Sequence, residues 1–466
     1  MTARRDVVER AETVVRGGTL IDETGERRAD VLVRGGRIVA VGESIDPPNG
    51  AAVLDAGGCV VAPGLVDLHT HLREPGGEVA ETVESGSRAA ALGGYTAVLA
   101  MPNTEPAIDS AAVVRDVLAL GETALTEVAV AGAITIGRRG ERLVPMAELA
   151  ALGVRLFTDD GRGVQHAGLM RRALEYASGL GVVLAQHCED EQLAAGGHMN
   201  EGAWSSRLGI AGQPALAEEA MLARDLALVR LTGASMHFLH LTTAGAIELI
   251  RRAKADGLPV TAEVTPHHLA LCDAAVASFD PVFKVNPPLR SAVDVAAVRA
   301  GLVSGVVDAI ATDHAPHAPE RKDDPFDEAP AGMLGLETAL AVAHSALCPG
   351  ASRRGDDRAE GGWVPAGEAT VLSLRDLLGF FSWRPARIAG LDRRRQGDQA
   401  DQGGPIVPGA AANLMVFDPT EEWVVDRSRQ ASRSRNTPYA GRRLVGKVRH
   451  TMFAGECVVL DGEAQR

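Results

Sequence analysis

The stretch VAPGLVDLHTHLREPGG, residues 61–77, joins an apolar run to two histidines that are one residue apart. Side chains at positions i and i+2 point to the same side of a β-strand, so His69 and His71 are expected to project together, with Arg73 close behind them. Taken alone, an HxH pair is a weak signal, because such pairs also lie on sheet faces. Its meaning depends on similar runs elsewhere in the chain.

Other short apolar or β-branched runs are likewise followed by a helical stretch. Counted with the first, the eight runs lie at 59–71, 93–103, 127–136, 153–161, 181–190, 235–242, 259–268 and 306–317. Eight β–α repeats favour a (β/α)8 barrel of the TIM type. The alternative is a doubly wound open sheet, but no GxGxxG follows the first strand. We therefore predict an α/β fold with a barrel over residues 59–395.

The two ends of the chain have a different residue pattern. Residues 14–45, 411–418 and 451–463 alternate apolar and polar positions with glycine punctuation, as short antiparallel strands do. We predict a small composite β-sandwich domain built from residues 1–58 and 406–466. A polar linker at 396–405 is expected between it and the barrel. The Gly-, Pro- and charge-rich stretches at 348–369 and 393–409 read as loops.

Composition narrows the functional class. The formal net charge of −14 argues against a nucleic-acid partner. No apolar stretch reaches the length of a membrane span, so no membrane partner is expected. The five cysteines are an odd number without a CxxC pair, and the charged N-terminus is not followed by an apolar core. These features predict a cytoplasmic enzyme with reduced thiols.

Polar residues follow most of the predicted strands. They are His69, His71, Asn103, Asp159, Asp160, His187, His240, His267, His268 and Asp313. The carboxyl ends of barrel strands form the active-site face, so these side chains are expected to converge. Imidazoles and carboxylates are ligands for zinc, and this many of them suits two ions that share a carboxylate. The remaining candidates lack strand-end placement and are interpreted as structural histidines: His166, His198, His237, His344 and His450.

The motifs DLHTHLREPG, MPNT, FTDDG, HCED, HLTT, NPPLR and ATDHAPH occur in that order. With them the sequence resembles the amidohydrolase superfamily and, within it, the long-chain bacterial dihydroorotases. The resemblance covers nearly the whole chain. It implies a metal-dependent cyclic amide hydrolase that interconverts L-dihydroorotate and N-carbamoyl-L-aspartate in de novo pyrimidine (UMP) biosynthesis.

The same resemblance implies two zinc ions per subunit, bridged by a carboxylate and a hydroxide. The implied ligands are His69, His71 and Asp313 for the first ion, His187 and His240 for the second, and Asp160 as the bridge. Many relatives use a carboxylated lysine as the bridge, but this chain has no lysine before Lys254. Adjacent strand residues face opposite ways, so Asp159 and Asp160 are not expected to bridge together.

Substrate contacts are implied at His71, Arg73, Asn103, Asn286, His317, Ala331 and Gly332. Arg73 and Asn103 match positions that grip the substrate carboxylate, and Asp313 matches the catalytic proton carrier. Two structural interpretations stay open. Arg73 also fits a surface salt bridge with Glu74, and Asn286 also fits a turn residue before its two prolines.

Two rival functions remain. The first is a hydantoinase or allantoinase; the missing lysine and Arg73 favour a substrate that bears a free carboxylate instead. The second is a non-catalytic scaffold bound to aspartate transcarbamoylase; the complete set of candidate ligands favours catalysis. The resemblance further implies a homo-oligomer and is compatible with a complex with aspartate transcarbamoylase.

Overall fold

The first strands of the chain build two sheets at one side of the molecule. The computed structural model describes residues 12–348, 360–365, 371–392 and 401–466. The early strands are β1 (Thr13–Arg16), β2 (Thr19–Asp22), β3 (Gly25–Arg28), β4 (Asp30–Arg34), β5 (Arg37–Gly42), β6 (Ala52–Asp55) and β7 (Val60–Pro63). One sheet has the order β5-β4-β1-β6, whereas β7, β2 and β3 join a second sheet.

The middle of the chain forms the barrel. Its strands are β8 (Leu65–Thr70), β9 (Tyr95–Ala100), β10 (Glu127–Val130), β11 (Leu156–Thr158), β12 (Val183–Gln186), β15 (Met236–Phe238), β16 (Val260–Val264) and β17 (Ala309–Ile310), with the short pair β13 (Met199–Asn200) and β14 (Gly212–Gln213) inserted after β12. The eight run parallel in the orders β10-β9-β8 and β11-β12-β15-β16-β17. Parallel bridges Gly132–Phe157 and Thr70–His314 close the ring. The predicted α/β barrel is confirmed.

Helices connect and cover the strands. They are α1 (Val83–Leu92), α2 (Ala111–Gly121), α3 (Met146–Ala151), α4 (Ala167–Leu180), α5 (Glu191–Ala194), α6 (Ala203–Leu208), α7 (Leu216–Thr232), α8 (Ala244–Ala255), α9 (Pro266–Ala270), α10 (Ala292–Val303), α11 (Ala339–Leu347), α12 (Leu374–Phe381) and α13 (Trp383–Ile388). Side-chain caps start several of them; Thr82 caps α1 and Ser291 caps α10. In α4 the buried positions recur on one stripe from Leu169 to Ala177, which faces the barrel core.

The last strands return to the N-terminal sheets. They are β18 (Leu414–Val424), β19 (Arg443–Phe453), β20 (Glu456–Leu460) and β21 (Glu463–Ala464), and the second sheet reads β21-β20-β19-β18-β7-β2-β3. Leu20 and Val61 from the first part of the chain share a separate apolar cluster with Leu414 and Met452 from the last part. Both termini therefore build one β-rich unit, although its division from the barrel at 58 and 406 stays a prediction.

The expectation of one barrel strand over 59–71 is wrong. The structure breaks this run at Gly64: β7 pairs with β2 and β18 in the terminal sheet, and β8 pairs with β9 in the barrel. A Cβ atom at Gly64 would overlap the side chain of Thr96, so only glycine permits this close passage. Residues 60–63 therefore belong to the terminal sheet.

The expected polar linker and loops lie partly outside the described residues, at 349–359, 366–370 and 393–400. In the described part, Gln402 is fully buried rather than solvated. It accepts a hydrogen bond from Thr96 Oγ1 at 2.7 Å, and its Nε2 donates to Glu127 at 3.0 Å. This part of the segment therefore packs against the base of the barrel.

Two global expectations concern thiols and membranes. All five cysteines are free, and only Cys457 is not buried. Within the described ranges, the structure has no helix with the length and apolar character that a membrane crossing needs.

Candidate active site

The strand-end histidines meet at the carboxyl end of the barrel. The ring centroids of His69 and His71 are 5.2 Å apart, and those of His69 and His240 are also 5.2 Å apart. The His187 and His240 centroids are separated by 4.7 Å. The closed barrel places the ends of β8, β12 and β15 on one face, which explains how residues so distant in sequence come together.

Asp160 lies between two pairs of histidines. Its Oδ2 is 3.3 Å from His69 Nε2 and 3.5 Å from His71 Nε2. Its Oδ1 is 3.5 Å from His187 Nδ1 and 3.6 Å from His240 Nε2. Each carboxylate oxygen therefore belongs to its own group of possible metal ligands. One short side chain joins the two groups.

Asp313 adds a second carboxylate to the first histidine pair. Its Oδ1 is 3.4 Å from His69 Nε2 and 3.1 Å from His71 Nε2. Ligand atoms bound tetrahedrally at zinc lie about 3.3 Å from one another when each bond is about 2.0–2.1 Å. The separations in this group match that spacing. We refer to the four histidines with Asp160 and Asp313 as the metal centre.

Unpartnered polar atoms show that the metal centre suits a cation. His69 Nε2 and Asp160 Oδ1 are buried and, within the described part of the chain, have no hydrogen-bond partner. His187 Nδ1 and His240 Nε2 face each other at 2.9 Å, and their orientation towards Asp160 allows both to be ligands. Buried polar atoms in this state are costly unless a ligand satisfies them. The donor set fits zinc.

Asp159, the alternative bridge, faces away from the metal centre. Its carboxylate accepts hydrogen bonds from the backbone N–H groups of Ile134 at 2.8 Å and Thr135 at 3.0 Å, and from the Thr135 hydroxyl. These bonds join the β11 end to the segment that follows β10. Asp159 therefore lies outside the metal centre, and Asp160 is the aspartate that faces both histidine pairs.

Glu263 supports the metal centre from behind, and sequence reasoning missed it. The side chain is fully buried, with Oε1 3.0 Å from His69 Nδ1 and Oε2 3.0 Å from His237 Nε2. A carboxylate that accepts the Nδ1 proton fixes the histidine tautomer and leaves Nε2 free for a metal. His237 contacts Thr261 through its other nitrogen at 2.8 Å. The available signal was a single acid in the mostly apolar strand β16.

The histidines of the metal centre keep its two carboxylates ionised. Burial would raise the pKa of Asp160, but His69, His187 and His240 hold it well below its usual value. Burial likewise opposes ionisation of Asp313, and its histidine neighbours lower its pKa below the usual range. Both carboxylates are therefore anionic at neutral pH, as metal ligands must be.

The predicted substrate residues surround the metal centre. Asn103 Oδ1 lies 2.8 Å from His71 Nδ1, so it orients that ring as Glu263 orients His69. Arg73 donates from Nε to the carbonyl of Pro316 at 3.1 Å. The alternative Arg73–Glu74 salt bridge does not form among the described residues. Glu74 instead accepts from the backbone of Val83 at 2.8 Å.

The other substrate residues lie on two loops. Asn286 Nδ2 is 3.5 Å from His187 Nε2, so it faces the metal centre as well as preceding the two prolines. His317 Nε2 lies 2.8 Å from the carbonyl of Ala331. A Cβ atom at Gly332 (φ 139°) would lie 2.8 Å from both Ala315 Cβ and His317 Nε2, which explains the glycine. We call Asn286, His317, Ala331 and Gly332 the substrate wall.

Two further strand-end histidines do not enter the metal centre as ligands. His268 uses both ring nitrogens, on Thr265 Oγ1 at 2.8 Å and on the Pro287 carbonyl at 3.0 Å. His267 is buried, and its Nε2 has no hydrogen-bond partner in the described part of the chain. Burial lowers the pKa of His267 to about 4, so its imidazole is neutral.

Backbone strain is concentrated at this site. Arg73 (φ 62°), His240 (φ 29°) and Asp313 (φ 46°) adopt positive φ although none is glycine. Such conformations cost energy and persist where surrounding contacts hold them. Here they turn the chain sharply just as it leaves β8, β15 and β17, which points the side chains across the mouth of the barrel.

Comparisons with known proteins agree with the fold and indicate the family. A family model described as dihydro-orotase-like matches residues 58–245. The dihydroorotase of Pelotomaculum thermopropionicum is 45% identical, covering 96% of this chain and 98% of its own length. The dihydroorotase of Mycobacterium leprae is 47% identical over 95% of this chain and 97% of its own length.

Solved structures show the same architecture. An L-hydantoinase (dihydropyrimidinase) from Arthrobacter aurescens superposes with a TM-score of 0.82 at 24% identity, covering 97% of both chains. A dihydropyrimidinase from Brevibacillus agri gives a TM-score of 0.79 at 21% identity, covering 97% of this chain and 96% of its own. At this identity they establish the barrel fold alone. The full-length sequence similarity is more specific: the chain belongs to the dihydroorotase family.

Proposed function

We propose that this chain is a zinc-dependent dihydroorotase, which interconverts N-carbamoyl-L-aspartate and L-dihydroorotate in pyrimidine biosynthesis. The observation that carries the proposal is Asp160, whose two oxygens each face a different histidine pair. The full-length similarity to dihydroorotases supports the choice of substrate.

The metal centre would hold two ions. His69, His71 and Asp313 would hold the first, His187 and His240 the second, and Asp160 would contact both. When bound, zinc would supply an activated water at neutral pH and polarise the amide carbonyl. Glu263 and Asn103 would keep the correct imidazole nitrogens of His69 and His71 directed inwards.

Asp313 is the proposed proton carrier. In hydrolysis, the water oxygen bonds to the ring carbonyl carbon, the ring C–N bond breaks, and the water proton moves to the departing nitrogen. Asp313 is anionic and lies beside His69 and His71, so it is placed to accept that proton and then deliver it. Ring closure uses the same steps in reverse.

Arg73, Asn103 and His317 are proposed to hold the substrate carboxylate. Burial lowers the pKa of Arg73 to about 10, which leaves the guanidinium charged at neutral pH. A planar guanidinium is suited to bidentate binding of a carboxylate. Burial, with Arg73 and Lys322 nearby, lowers the pKa of His317 to about 3, so its ring acts as a neutral hydrogen-bonding group.

A substrate panel tests this function against the rival hydantoinase or allantoinase. The purified, zinc-loaded protein is assayed with L-dihydroorotate, hydantoin and allantoin, and with Arg73→Met as the matched variant. We expect dihydroorotate to be hydrolysed with by far the highest kcat/KM, and Arg73→Met to lose that preference. Faster turnover of hydantoin or allantoin, which lack a free carboxylate, would contradict the proposal.

The finer expectations about partners extend this proposal. A cytoplasmic homo-oligomer remains the expectation, and a complex with aspartate transcarbamoylase is compatible with it. Size-exclusion chromatography with light scattering, with and without that partner enzyme, measures both. The non-catalytic scaffold alternative predicts co-elution without any dihydroorotate turnover.

A further inference from the structure

Lys322 occupies an unusual position beside the substrate wall. It lies on the loop between β17 and α11, five residues after His317. Its Nζ donates to three backbone carbonyls: Pro330 at 2.7 Å, Pro281 at 2.9 Å and Lys284 at 3.3 Å. Within the described ranges no carboxylate forms an ion pair with it. The ammonium group is thus used entirely for backbone contacts.

These contacts join the two loops that carry the substrate wall. Pro330 immediately precedes Ala331 and Gly332, and Lys284 lies two residues before Asn286. A backbone bond from Gly332 N to the Lys284 carbonyl, 2.9 Å long, connects the same loops beside the lysine. The Lys322 side chain and this backbone bond therefore connect the Asn286 side and the Ala331–Gly332 side of the wall.

The arrangement is energetically costly. Burial is the main cause that lowers the pKa of Lys322 to about 7, and the positive charge of Lys284 adds to it while Asp280 opposes it. A partly desolvated cation without a carboxylate partner is disfavoured unless its hydrogen bonds are well formed. Three carbonyl acceptors provide those bonds.

Independent contacts hold the rest of the loop. Phe326 is buried in an apolar cluster with Met199 and Val276. Lys284 Nζ donates to the Asp327 carbonyl at 2.9 Å and lies 5.8 Å from the centre of the Phe326 ring. Loss of the Lys322 contacts should therefore loosen the wall without unfolding the loop.

We propose that Lys322 is a positioning residue that sets the width of the substrate wall and hence the affinity for the cyclic substrate. This inference rests on the proposed function, since the wall is assigned through it. Lys322 does not contact the metal centre, so the chemical step should depend on it only weakly. Its loss should weaken substrate binding in the ground and transition states alike, which raises KM with little change in kcat.

The test compares Lys322→Met and Lys322→Arg with Arg321→Met as the matched control. Arg321 is the exposed neighbour, and its ion pair with Asp324 lies on the surface. With dihydroorotate and excess zinc, we expect Lys322→Met to raise KM by about tenfold or more, with kcat changed less than about threefold. Lys322→Arg, which keeps a cationic donor, should recover most of the affinity, and Arg321→Met should match the wild type.

Hydrogen exchange supplies a readout that needs no substrate. The Gly332 amide, which is bonded to the Lys284 carbonyl, should exchange faster in Lys322→Met than in the wild type or in Arg321→Met. If methionine prevents folding, Lys322→Gln takes its place in both measurements. Zinc content should be equal in all variants.

An unchanged KM in a folded Lys322→Met variant, or a fall in kcat at constant KM, would overturn the proposal. Unchanged exchange at Gly332 or an arginine variant as defective as the methionine variant would do the same. Failure of the wild type to turn over dihydroorotate would instead refute the proposed function. The exchange comparison would still decide whether Lys322 orders the wall.

Discussion

The metal centre and the substrate wall are built in different ways. The metal centre takes its side chains from the ends of barrel strands, and the buried Glu263 and the half-buried Asn103 fix two of its rings. The substrate wall lies on two loops joined by backbone bonds and by Lys322. Strand ends thus position the candidate metal ligands, whereas two connecting loops carry the proposed substrate contacts.

The largest effect should come from the proposed proton carrier in the metal centre. Asp313→Asn keeps the size of the side chain but removes its ability to accept a proton, so kcat should fall by about 10²–10⁴-fold. Steady-state kinetics with dihydroorotate, together with ligand binding by calorimetry, measure the change. Binding should persist because the substrate wall is intact.

Zinc content serves as the control for this variant, since Asp313 also lies within ligand distance of the first site. Near-normal turnover in zinc-loaded Asp313→Asn would remove Asp313 from the mechanism. It would also show that the metal centre and the substrate wall do not divide chemistry and binding between them.

A smaller effect is expected at Glu263, which contacts the metal centre through His69. Glu263→Gln retains a hydrogen-bonding side chain but removes the charge that holds the His69 tautomer, so zinc affinity should fall by about 10–100-fold. Competition with a chelator measures the affinity. Glu248→Gln, on the exposed surface of α8, is the matched control and should leave it unchanged. Equal zinc affinity in both variants would show that Glu263 is only a packing residue.

The smallest effect is expected at a half-buried acid outside both regions. Burial raises the pKa of Glu337 to about 7, above its ordinary value of 4.5. Its stabilising contribution is therefore complete below about pH 4.5 and is lost as the pH rises through about 7. We measure the Tm of Glu337→Gln minus the Tm of the wild type at two pH values. This difference should be several degrees higher at pH 8 than at pH 5.

Zinc binding and kinetics of this variant separate Glu337 from the metal centre and the substrate wall. Glu337 bonds to the backbone of Ala431 at 2.9 Å and lies in neither the metal centre nor the substrate wall. The zinc content and KM of Glu337→Gln should therefore equal those of the wild type. A Tm difference independent of pH would contradict the stated titration.

The same contrast explains what the sequence could predict. The candidate ligands His69, His71, His187 and His240 were recognisable because each lies at or just after the end of a predicted strand, and parallel strands in a barrel end on one face. Glu263 lies inside a strand, where a single acid has no local pattern that marks its partner. The role of Lys322 depends on three carbonyls from two loops. Contacts to backbone carbonyls do not require particular residues at those positions, so the sequence does not indicate them.

The division of the run at 59–71 shows a similar limit. An apolar segment that passes from one sheet to another looks like a single strand, and the close passage of Gly64 beside Thr96 appears only in three dimensions. The barrel itself was predictable because its repeat is long and regular. Its junction with the terminal sheets was not, since that depends on contacts between distant strands.

The central claim is that Asp160 joins two zinc sites in a dihydroorotase. Its most direct test is a zinc titration of the chelator-stripped protein, followed by the rate of dihydroorotate hydrolysis. We predict no turnover without metal and a rise to a plateau at two equivalents per chain. A plateau at one equivalent, full activity of the metal-free protein, or no turnover at any zinc concentration would contradict this claim.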